Sequence, residues 1–363
     1  MTMAKSTVAI LVTCVNSQVA PGIMALIKNH PDYRIRMIGC DAADRGEILG
    51  RHFSDHCYSV PLGTGEDYIG AIIDIVQRHS IHMIFPGSDE ECLILSEHRE
   101  KFETLGCKIA CSAFETVSLC VDKFRLMTHI KEKGVRSGTA YLPTTLANLE
   151  NFAYKLGYPN IDFVIKPRSG RGSRGFRIIS ADIDPYAAFQ QSDHSRISLE
   201  ALKGIFAEHE TDLSRYLMME MYTGDKYSAD VLIDRGTIRS MVIRNNGSTP
   251  KTQPPTQNAR IVFDDDIQQY ADQIVRVIPF DYFAQVEIGR TEKGELGLIE
   301  VNTRMDATLP ITEGLGLNFF REMVTYAMTG KMRPDIPNGT DCRIKLRFRR
   351  YWSHLFEETD SDE

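Results

Sequence analysis

Several classes of protein are excluded by what this sequence has little of. Its 363 residues contain no apolar run approaching the roughly 20 residues that a membrane-spanning helix needs. Basic residues are not in excess either: the formal net charge is −7, whereas a dedicated nucleic-acid-binding protein carries a basic face. We therefore expect small-molecule substrates, with neither a nucleic acid nor a membrane as partner.

The cysteines lack the spacing of a metal site or a redox motif. There are eight of them but no C-x-x-C pair, and Cys14, Cys40, Cys107 and Cys111 lie inside apolar runs, which favours buried free thiols. The first residues lead directly into a strand-like run, without the pattern of a secretory cleavage site. These two features predict a cytoplasmic protein.

The first third of the chain alternates between strands and helices. Continuous apolar runs at residues 6–15, 34–40, 81–85 and 108–111 are typical of buried parallel strands, and residues 67–79 carry apolar side chains at helical spacing. The pattern predicts a doubly wound α/β domain over residues 1–113. Ligands of such sheets bind beyond the carboxyl ends of the strands, which is where Asp89 and Glu90 follow the third strand.

A glycine-rich connection joins two predicted strands, residues 162–167 and 176–180. It reads G-x-G-x-x-G over residues 170–175, but a dinucleotide-binding loop of this type opens a helix, so we reject that interpretation. A glycine loop between strands can instead close over phosphates and present its backbone N–H groups to them. Protein kinases also use such a loop, but their catalytic-loop and Asp-Phe-Gly signatures are absent.

Lys166 ends the strand that feeds this loop, and Arg168, Arg171 and Arg174 make the loop cationic. One interpretation is a solvated basic loop. The other follows from the apolar neighbours of Lys166, because a charge in such surroundings needs a counter-ion, here an anion.

Two further apolar runs, residues 282–288 and 296–302, read as a β-hairpin. Glu300 and Asn302 are two residues apart and therefore point to the same face of a strand. A tight loop centred on residues 293 and 294 would place Glu287 opposite Glu300 and Gln285 opposite Asn302, unless a bulge shifts the register. Opposed carboxylates destabilise a sheet, so the hairpin either faces water or binds a cation such as Mg²⁺ between the two acids.

The order of these features resembles the ATP-grasp superfamily, especially its carbamoyl-phosphate synthase large-chain-like and D-alanine ligase-like carboxylate–amine ligases. The resemblance extends over about residues 6–350, and its most specific part is Glu300-Val301-Asn302-Thr303-Arg304. It implies a pre-ATP-grasp α/β domain, then an ATP-grasp domain over residues 114–350 with a small α+β lid at about 135–216 and an antiparallel C-terminal sheet. The acidic residues 351–363 are expected to be a disordered tail.

The resemblance also implies an ATP site with Mg²⁺ or Mn²⁺, in two ions. Catalytic roles would fall to Lys166 and Arg304, and the metal ligands would be Glu287, Glu300 and Asn302. The nucleotide would be contacted by Lys123, Lys166, Ser169, Gly170, Gly172, Gly175, Glu220, Met221, Tyr222 and Asp225. The family usually has a glutamate for the ribose where this chain has Asp225, so that contact is the least supported.

The function implied is an ATP-dependent ligase that forms an acylphosphate and passes it to an amine. A kinase, a carbamate- or carboxyphosphate-forming enzyme and an idle nucleotide-binding subunit remain alternatives. The substrate is expected near Asp89, Glu90, Arg244 and Asp306, where acidic groups favour an amine-bearing molecule such as an amino acid. A homodimer is possible.

Overall fold

The computed structural model describes residues 5–170, 175–183, 186, 196–248, 258–291, 293–349 and 355–356. The N-terminal module contains the strands β1 (Ser6–Thr13), β2 (Tyr33–Asp41), β3 (His56–Ser59), β4 (Met83–Phe85) and β5 (Lys108–Ile109), and the helices α1 (Ala20–Lys28), α2 (Tyr68–His79), α3 (Asp89–Glu97), α4 (Arg99–Thr104) and α5 (Phe114–Val121). The strands are parallel, in the order β3-β2-β1-β4-β5. Alternate residues of β1 pack against α1 and against α2, so both faces are covered and the predicted doubly wound sheet is confirmed.

A second, smaller sheet follows the helix α6 (Lys123–Glu132). Its strands are β6 (Ala140–Tyr141), β7 (Phe163–Pro167), β8 (Arg177–Ile179), β9 (Arg196–Ile197) and β10 (Tyr216–Glu220), in the order β6-β10-β7-β8-β9. The helices α7 (Leu146–Lys155) and α8 (Leu199–Glu208) share one hydrophobic core with it. This is the small α+β unit that the resemblance implied.

The third sheet has six antiparallel strands in the described part of the chain. They are β11 (Asp225–Asp234), β12 (Thr237–Ser248), β13 (Asn258–Ile261), β14 (Tyr282–Arg290), β15 (Leu296–Asn302) and β16 (Arg347–Arg349), in the order β15-β14-β11-β12-β13-β16. The helix α9 (Asp265–Val277) packs on one face, while the helix α10 (Phe319–Thr329) and the N-terminal module share a core with the other. The predicted fold class is thus confirmed.

The two faces of β11 differ in chemistry. Ala229, Val231 and Ile233 belong to the core under α9. On the opposite face the buried side chains of Ser228 and Asp230 are polar, and each lies beside a polar residue of β14. A buried polar row on an otherwise apolar sheet needs partners, and it marks the face that carries the candidate site.

One predicted element differs from the structure. The first strand was expected to reach residue 15 but ends at Thr13, because Cys14 adopts a left-handed backbone conformation (φ 55°). Near the C-terminal end, a 3-10 segment, Leu309–Leu315, is separated from α10 because Gly316 has φ +75° and Asn318 caps α10.

All eight cysteines are free thiols; six are buried, whereas Cys14 and Cys342 are only partly buried, so the expectation for Cys14 was wrong. No described helix is long and apolar enough to cross a membrane. The glycine-loop residues 171–174, the segment 249–257 and the acidic residues 357–363 lie outside the described residues.

Candidate active site

The hairpin formed by β14 and β15 places four polar side chains in two rows. Glu287 pairs with Glu300, and Gln285 pairs with Asn302, which confirms the predicted register. On its other side Glu287 pairs with Ser228 of β11. The opposed acids therefore lie inside the sheet, on its polar face, rather than on a free surface hairpin.

A β-bulge in β15 makes this register possible. Beyond the acid pair, Ile288 pairs with Leu298, so Ile299 is an extra residue without a partner on β14. The loop is consequently centred on Lys293, whereas the predicted centre lies between residues 293 and 294. The bulge restores the predicted pairing at the acids.

The two opposed carboxylates have different acidities. Burial, together with the charge of Glu300, raises the pKa of Glu287 from 4.5 to about 7. Burial also opposes the ionisation of Glu300, but Lys123, Lys166 and Arg304 outweigh it and hold the pKa of Glu300 below 4.5. In the ligand-free protein Glu300 is therefore ionised, and Glu287 becomes ionised near neutral pH.

The side chain of Asn302 is oriented by a hydrogen-bond chain. Its Nδ2 donates to Oε1 of Gln285 at 3.1 Å, and Nε2 of Gln285 donates to Oδ1 of Asp230 at 2.9 Å. The amide oxygen is therefore the atom of Asn302 that could bind a metal ion.

These oxygen donors fit magnesium. Among the described residues no three His, Cys, Asp or Glu side chains gather into a metal cluster, so the protein offers two carboxylates and one amide. Magnesium is commonly held by one or two carboxylates, with substrate phosphates completing its octahedral shell. The pair would therefore hold the ion together with a nucleotide.

Two buried lysines lie close to the acid pair. Nζ of Lys166, on β7, donates to the backbone oxygen of Ile299 at 3.0 Å, which is the bulged residue. Nζ of Lys123, the first residue of α6, donates to the backbone oxygen of Gly170 at 2.8 Å and lies 3.5 Å from Oε2 of Glu300. Burial lowers the pKa of Lys166 from 10.5 to about 8.

The start of the glycine loop is fastened to α6. The backbone N–H of Lys123 donates to the carbonyl of Arg168 at 3.1 Å. The guanidinium of Arg168 donates to both carboxylate oxygens of Asp122, at 2.8 and 2.7 Å. This fork holds the loop against the helix end where Lys123 lies.

The described glycines of the loop have backbone conformations that suit glycine. Gly170, which follows Ser169, has φ +125°, and Gly175 has φ +74°. A Cβ at Gly175 would approach Cγ of Pro167 to 2.8 Å, so the close packing there requires glycine. Gly172 lies outside the described residues.

Arg304 lies between two aspartates. Its Nε is 2.9 Å from Oδ1 of Asp89, and its Nη1 is 3.7 Å from Oδ2 of Asp306. Asp89 is the first residue of α3, with Glu90 partly buried beside it, so the N-terminal module supplies a direct ion pair to the strand end that carries the acids.

Arg244 is held by the protein itself. Only 2% of its side chain is exposed; its Nε and Nη2 donate to Asp230 at 2.8 and 3.3 Å, and Nη2 also lies 3.4 Å from Asp306. Despite burial, Arg244 and Arg304 keep the pKa of Asp306 at about 2. Arg244, Asp230 and Asp306 therefore form an ion-pair network whose charges act on Glu287.

The residues expected at the adenine lie where the second sheet meets the third. Oε1 of Glu220, at the end of β10, accepts a hydrogen bond from the N–H of Thr139 at 3.1 Å and lies 3.6 Å from Nη2 of Arg136. Nη1 of Arg136 is 3.0 Å from Glu295 in the hairpin loop. An ionic bridge thus joins the two sheets.

Tyr222 is wedged between the sheets, with Met221 partly buried before it. A Cβ at Gly289 or Gly297 would come within 2.4 and 2.1 Å of Tyr222 atoms, so these strands can accept the ring only because they have no side chain there.

Asp225 accepts a hydrogen bond from Nδ2 of Asn245 at 2.7 Å.

Lys226 is a further candidate site residue, which the sequence analysis does not identify. It begins a row of polar residues, at every second position of β11, that continues with Ser228 and Asp230. Burial lowers its pKa, whereas Glu287 and Glu300 act in the opposite direction, which places its ammonium within their field. The alternation of polar residues in an apolar strand was the signal that could have identified it.

Comparisons with known proteins find two similar families. Residues 212–346 match a family described as ATP-grasp in the biosynthetic pathway with Ter operon, and residues 10–110 match the PylC-like N-terminal domain. The 2-oxoglutarate carboxylase small subunit of Hydrogenobacter thermophilus is 23% identical over 315 residues, which are 82% of this chain and 64% of that protein. The methylcrotonoyl-CoA carboxylase subunit alpha of Arabidopsis thaliana is 24% identical over 46% of this chain and 22% of its own length. The chain thus spans less than two thirds of these curated relatives.

Solved structures show the same fold. The biotin carboxylase domain of the Hydrogenobacter thermophilus 2-oxoglutarate carboxylase, a dimer with MgADP and bicarbonate, superposes with a TM-score of 0.67 at 18% identity, covering 89% of this chain and 70% of that one. The L-amino acid ligase of Bacillus licheniformis gives 0.66 at 15% identity, covering 92% and 78%. The N5-carboxyaminoimidazole synthetase of Staphylococcus aureus with ADP gives 0.66 at 14% identity, covering 92% and 80%.

Proposed function

We propose that the chain, whose residues 212–346 match an ATP-grasp family, is an ATP-dependent ligase that joins a carboxylate to an amine through an acylphosphate. The observation that carries this proposal is the meeting of Glu287, Glu300 and Asn302 with the ammonium groups of Lys123 and Lys166. Hard oxygen donors and fixed cations at one place suit a nucleotide phosphate with its metal.

We assign the residues as follows. Lys123 and Lys166 bind phosphate oxygens, and residues 169–175, among them Ser169, Gly170, Gly172 and Gly175, cover the phosphates. Glu287, Glu300 and Asn302 hold magnesium, and Arg304 binds the transferring phosphoryl group. The adenine lies at Glu220, Met221 and Tyr222, with the ribose near Asp225. The proposed units are residues 1–113 and 114–350, with the lid at about 135–216.

The proposed reaction has two steps. A carboxylate oxygen of the substrate attacks the γ-phosphorus of ATP, the bond to the β-phosphate oxygen breaks, and ADP leaves. The amine nitrogen then attacks the acyl carbon, inorganic phosphate leaves and the nitrogen loses one proton. When bound, magnesium supplies positive charge to the phosphate oxygens.

The side chains act by position and charge. Lys166 and Lys123 are fixed by backbone carbonyls, so their ammonium groups need not reorganise as phosphate charge moves. Arg304 must exchange part of its contact with Asp89 for phosphate, which couples the N-terminal module to catalysis. Glu300 stays ionised throughout because three cations face it.

The substrate carboxylate and amine are proposed to bind near Asp89, Glu90, Arg244 and Asp306, whose acidic groups suit the amine of an amino acid. A second candidate is favoured by the carboxylases among the relatives: bicarbonate as the carboxylate, giving carboxyphosphate. A kinase would release a phosphorylated product without any amine.

ADP release decides among these reactions. Purified protein with Mg-ATP is supplied with amino acids or bicarbonate, each with and without amines. The ligase proposal expects ADP release that increases with the correct amine; ADP release with a stable phosphorylated product and no effect of amine would overturn it. Glu300→Gln should abolish release, whereas Glu313→Gln, at an exposed position of the 3-10 segment, should not.

We further propose a cytoplasmic location, because eight free thiols suit a reducing compartment. A homodimer, as described for the biotin carboxylase domain, would be detected by light scattering.

A further inference from the structure

A cavity lined by basic side chains lies at the β16 edge of the third sheet, the edge opposite to β15. Its volume is about 330 Å³, and its described walls belong to β12, β13 and β16. They are Asn245, Asn246, Gly247, Ala259, Arg260, Arg347 and Arg349. None of these residues is assigned a role in the ATP site proposed above, but Asn245 hydrogen-bonds Asp225, and Asn246 hydrogen-bonds Arg244 and Ser228.

Strand register brings the three arginines together. Arg260 pairs directly with Arg347 across the β13–β16 ladder, and Arg349 lies two residues further along β16. On its other side Arg260 pairs with Asn245. Because side chains alternate along a strand, Arg260, Arg347 and Arg349 project from one face of this edge.

That face is opposite to the face with the acid pair. Arg244, which contacts Asp230 and Asp306, pairs with Ile261, the neighbour of Arg260. Successive residues point to opposite faces, so the arginine cluster and the Glu287–Glu300 row lie on different sides of the sheet. The three guanidinium groups therefore face away from the acid pair, although Asn246 of the cavity wall contacts Arg244 and Ser228 on the acid-pair side.

The cluster has an electrostatic cost in the ligand-free protein. Like charges placed directly opposite one another destabilise a sheet pair, as for Glu287 and Glu300. Arg260, Arg347 and Arg349 are exposed, and none of them forms an ion pair with a carboxylate in the described part of the chain. In the wall itself, Asn245 hydrogen-bonds the carboxylate of Asp225.

We propose that this cavity binds an anion with two or more negative charges, through phosphate or carboxylate groups. A guanidinium presents its N–H groups as a planar fork that matches both kinds of oxyanion, and three forks around one cavity suit a ligand with several charged oxygens. Binding would turn the repulsion between Arg260 and Arg347 into a shared attraction.

The test uses the full chain without nucleotide or magnesium, with citrate and inorganic phosphate as probes in titration calorimetry at low salt. We expect binding that weakens as sodium chloride is added, because exposed charges are screened. The combined variant Arg260→Gln, Arg347→Gln and Arg349→Gln should weaken it at least tenfold, and Arg349→Gln alone about threefold.

A matched control removes three positive charges elsewhere. Arg34, Arg45 and Lys131 are exposed residues of other elements, and their combined replacement by Gln should change citrate affinity less than twofold. Equal binding by the wild type and the arginine variants would overturn the proposal. Glu313→Gln, an exposed position outside the proposed ATP site, should bind both probes like the wild type, and because the calorimetry contains no nucleotide its result does not depend on ATP turnover.

Two sources could supply the anion, an external metabolite or the chain's own acidic residues. The sequence after position 356 contains Glu357, Glu358, Asp360, Asp362 and Glu363. If a variant with these acids changed to amides binds citrate at least tenfold more tightly than the wild type, the ligand is internal; equal affinity identifies it as external. If neither protein binds citrate or phosphate, the proposal is wrong.

Discussion

Replacing Glu287 by Gln should stabilise the ligand-free protein while destroying its ATP turnover. The pKa of Glu287 is raised to about 7 in the folded protein, above its ordinary 4.5. A raised acid pKa means that the folded state holds the proton more tightly than the unfolded state does. Folding stability is therefore lost as the pH rises from about 4.5 to about 7, and the full cost is present above pH 7.

The size of the effect follows from the shift. At about 1.4 kcal/mol per pKa unit, and allowing for partial exposure, ionised Glu287 costs about 2–3 kcal/mol at pH 8. Glu287→Gln keeps the shape and removes the charge, so it should be more stable than the wild type by that amount at pH 8. At pH 5 the gap should close to below about 1 kcal/mol, because most of the wild-type carboxyl is then protonated in the folded state.

The assay is urea unfolding followed by circular dichroism from pH 5 to pH 8. Glu313→Gln, an exposed acid, serves as the control and should show no pH-dependent gap. Mg-ATP should stabilise the wild type but not Glu287→Gln, since the variant lacks the second carboxylate. A variant no more stable than the wild type at pH 8, or a gap that is constant with pH, would refute the conclusion that burial and the charge of Glu300 raise the pKa of Glu287.

Two further predictions concern Lys166 and the packing of Tyr222 between the sheets. Lys166 loses its proton near pH 8 in the folded protein and near pH 10.5 in the unfolded protein. The stability of the wild type should therefore rise relative to that of Lys166→Met between pH 8 and pH 10, by at most roughly 1.4 kcal/mol per pH unit in urea unfolding, and parallel stability curves would contradict this. Gly289→Ala should cost about 1–3 kcal/mol because its Cβ would clash with Tyr222, whereas Gly204→Ala, in an open helical position, should be neutral or stabilising; equal thermal midpoints for the two variants would contradict the wedge.

The sequence allowed the hairpin register to be predicted because two local rules determine it. Side chains alternate along a strand, and a short polar loop limits where two strands can pair. Glu287 and Glu300 therefore could be placed opposite each other without any knowledge of the rest of the chain. The bulge at Ile299 could not be predicted, since no residue type there requires it.

The contacts that complete the site join distant parts of the chain and were not predictable in this way. Asp89 meets Arg304 across 215 positions, and its partner depends on how the N-terminal module packs on the third sheet. Arg136 reaches both Glu220 and Glu295 only because the second and third sheets meet there. The roles of all these residues stay predictions until turnover and binding are measured.

Because of the bulge at Ile299, the hydrogen bond that holds Lys166 depends on the number of residues in β15 rather than on the side chain at position 299. Lys166 is held by a backbone oxygen that is accessible because Ile299 is the extra residue in β15. Substitutions at position 299 should leave that anchor in place, whereas a one-residue deletion between Glu295 and Ile299 should remove it. Natural variants of this protein should accordingly tolerate many residue types at 299 but almost no change in the number of residues around it.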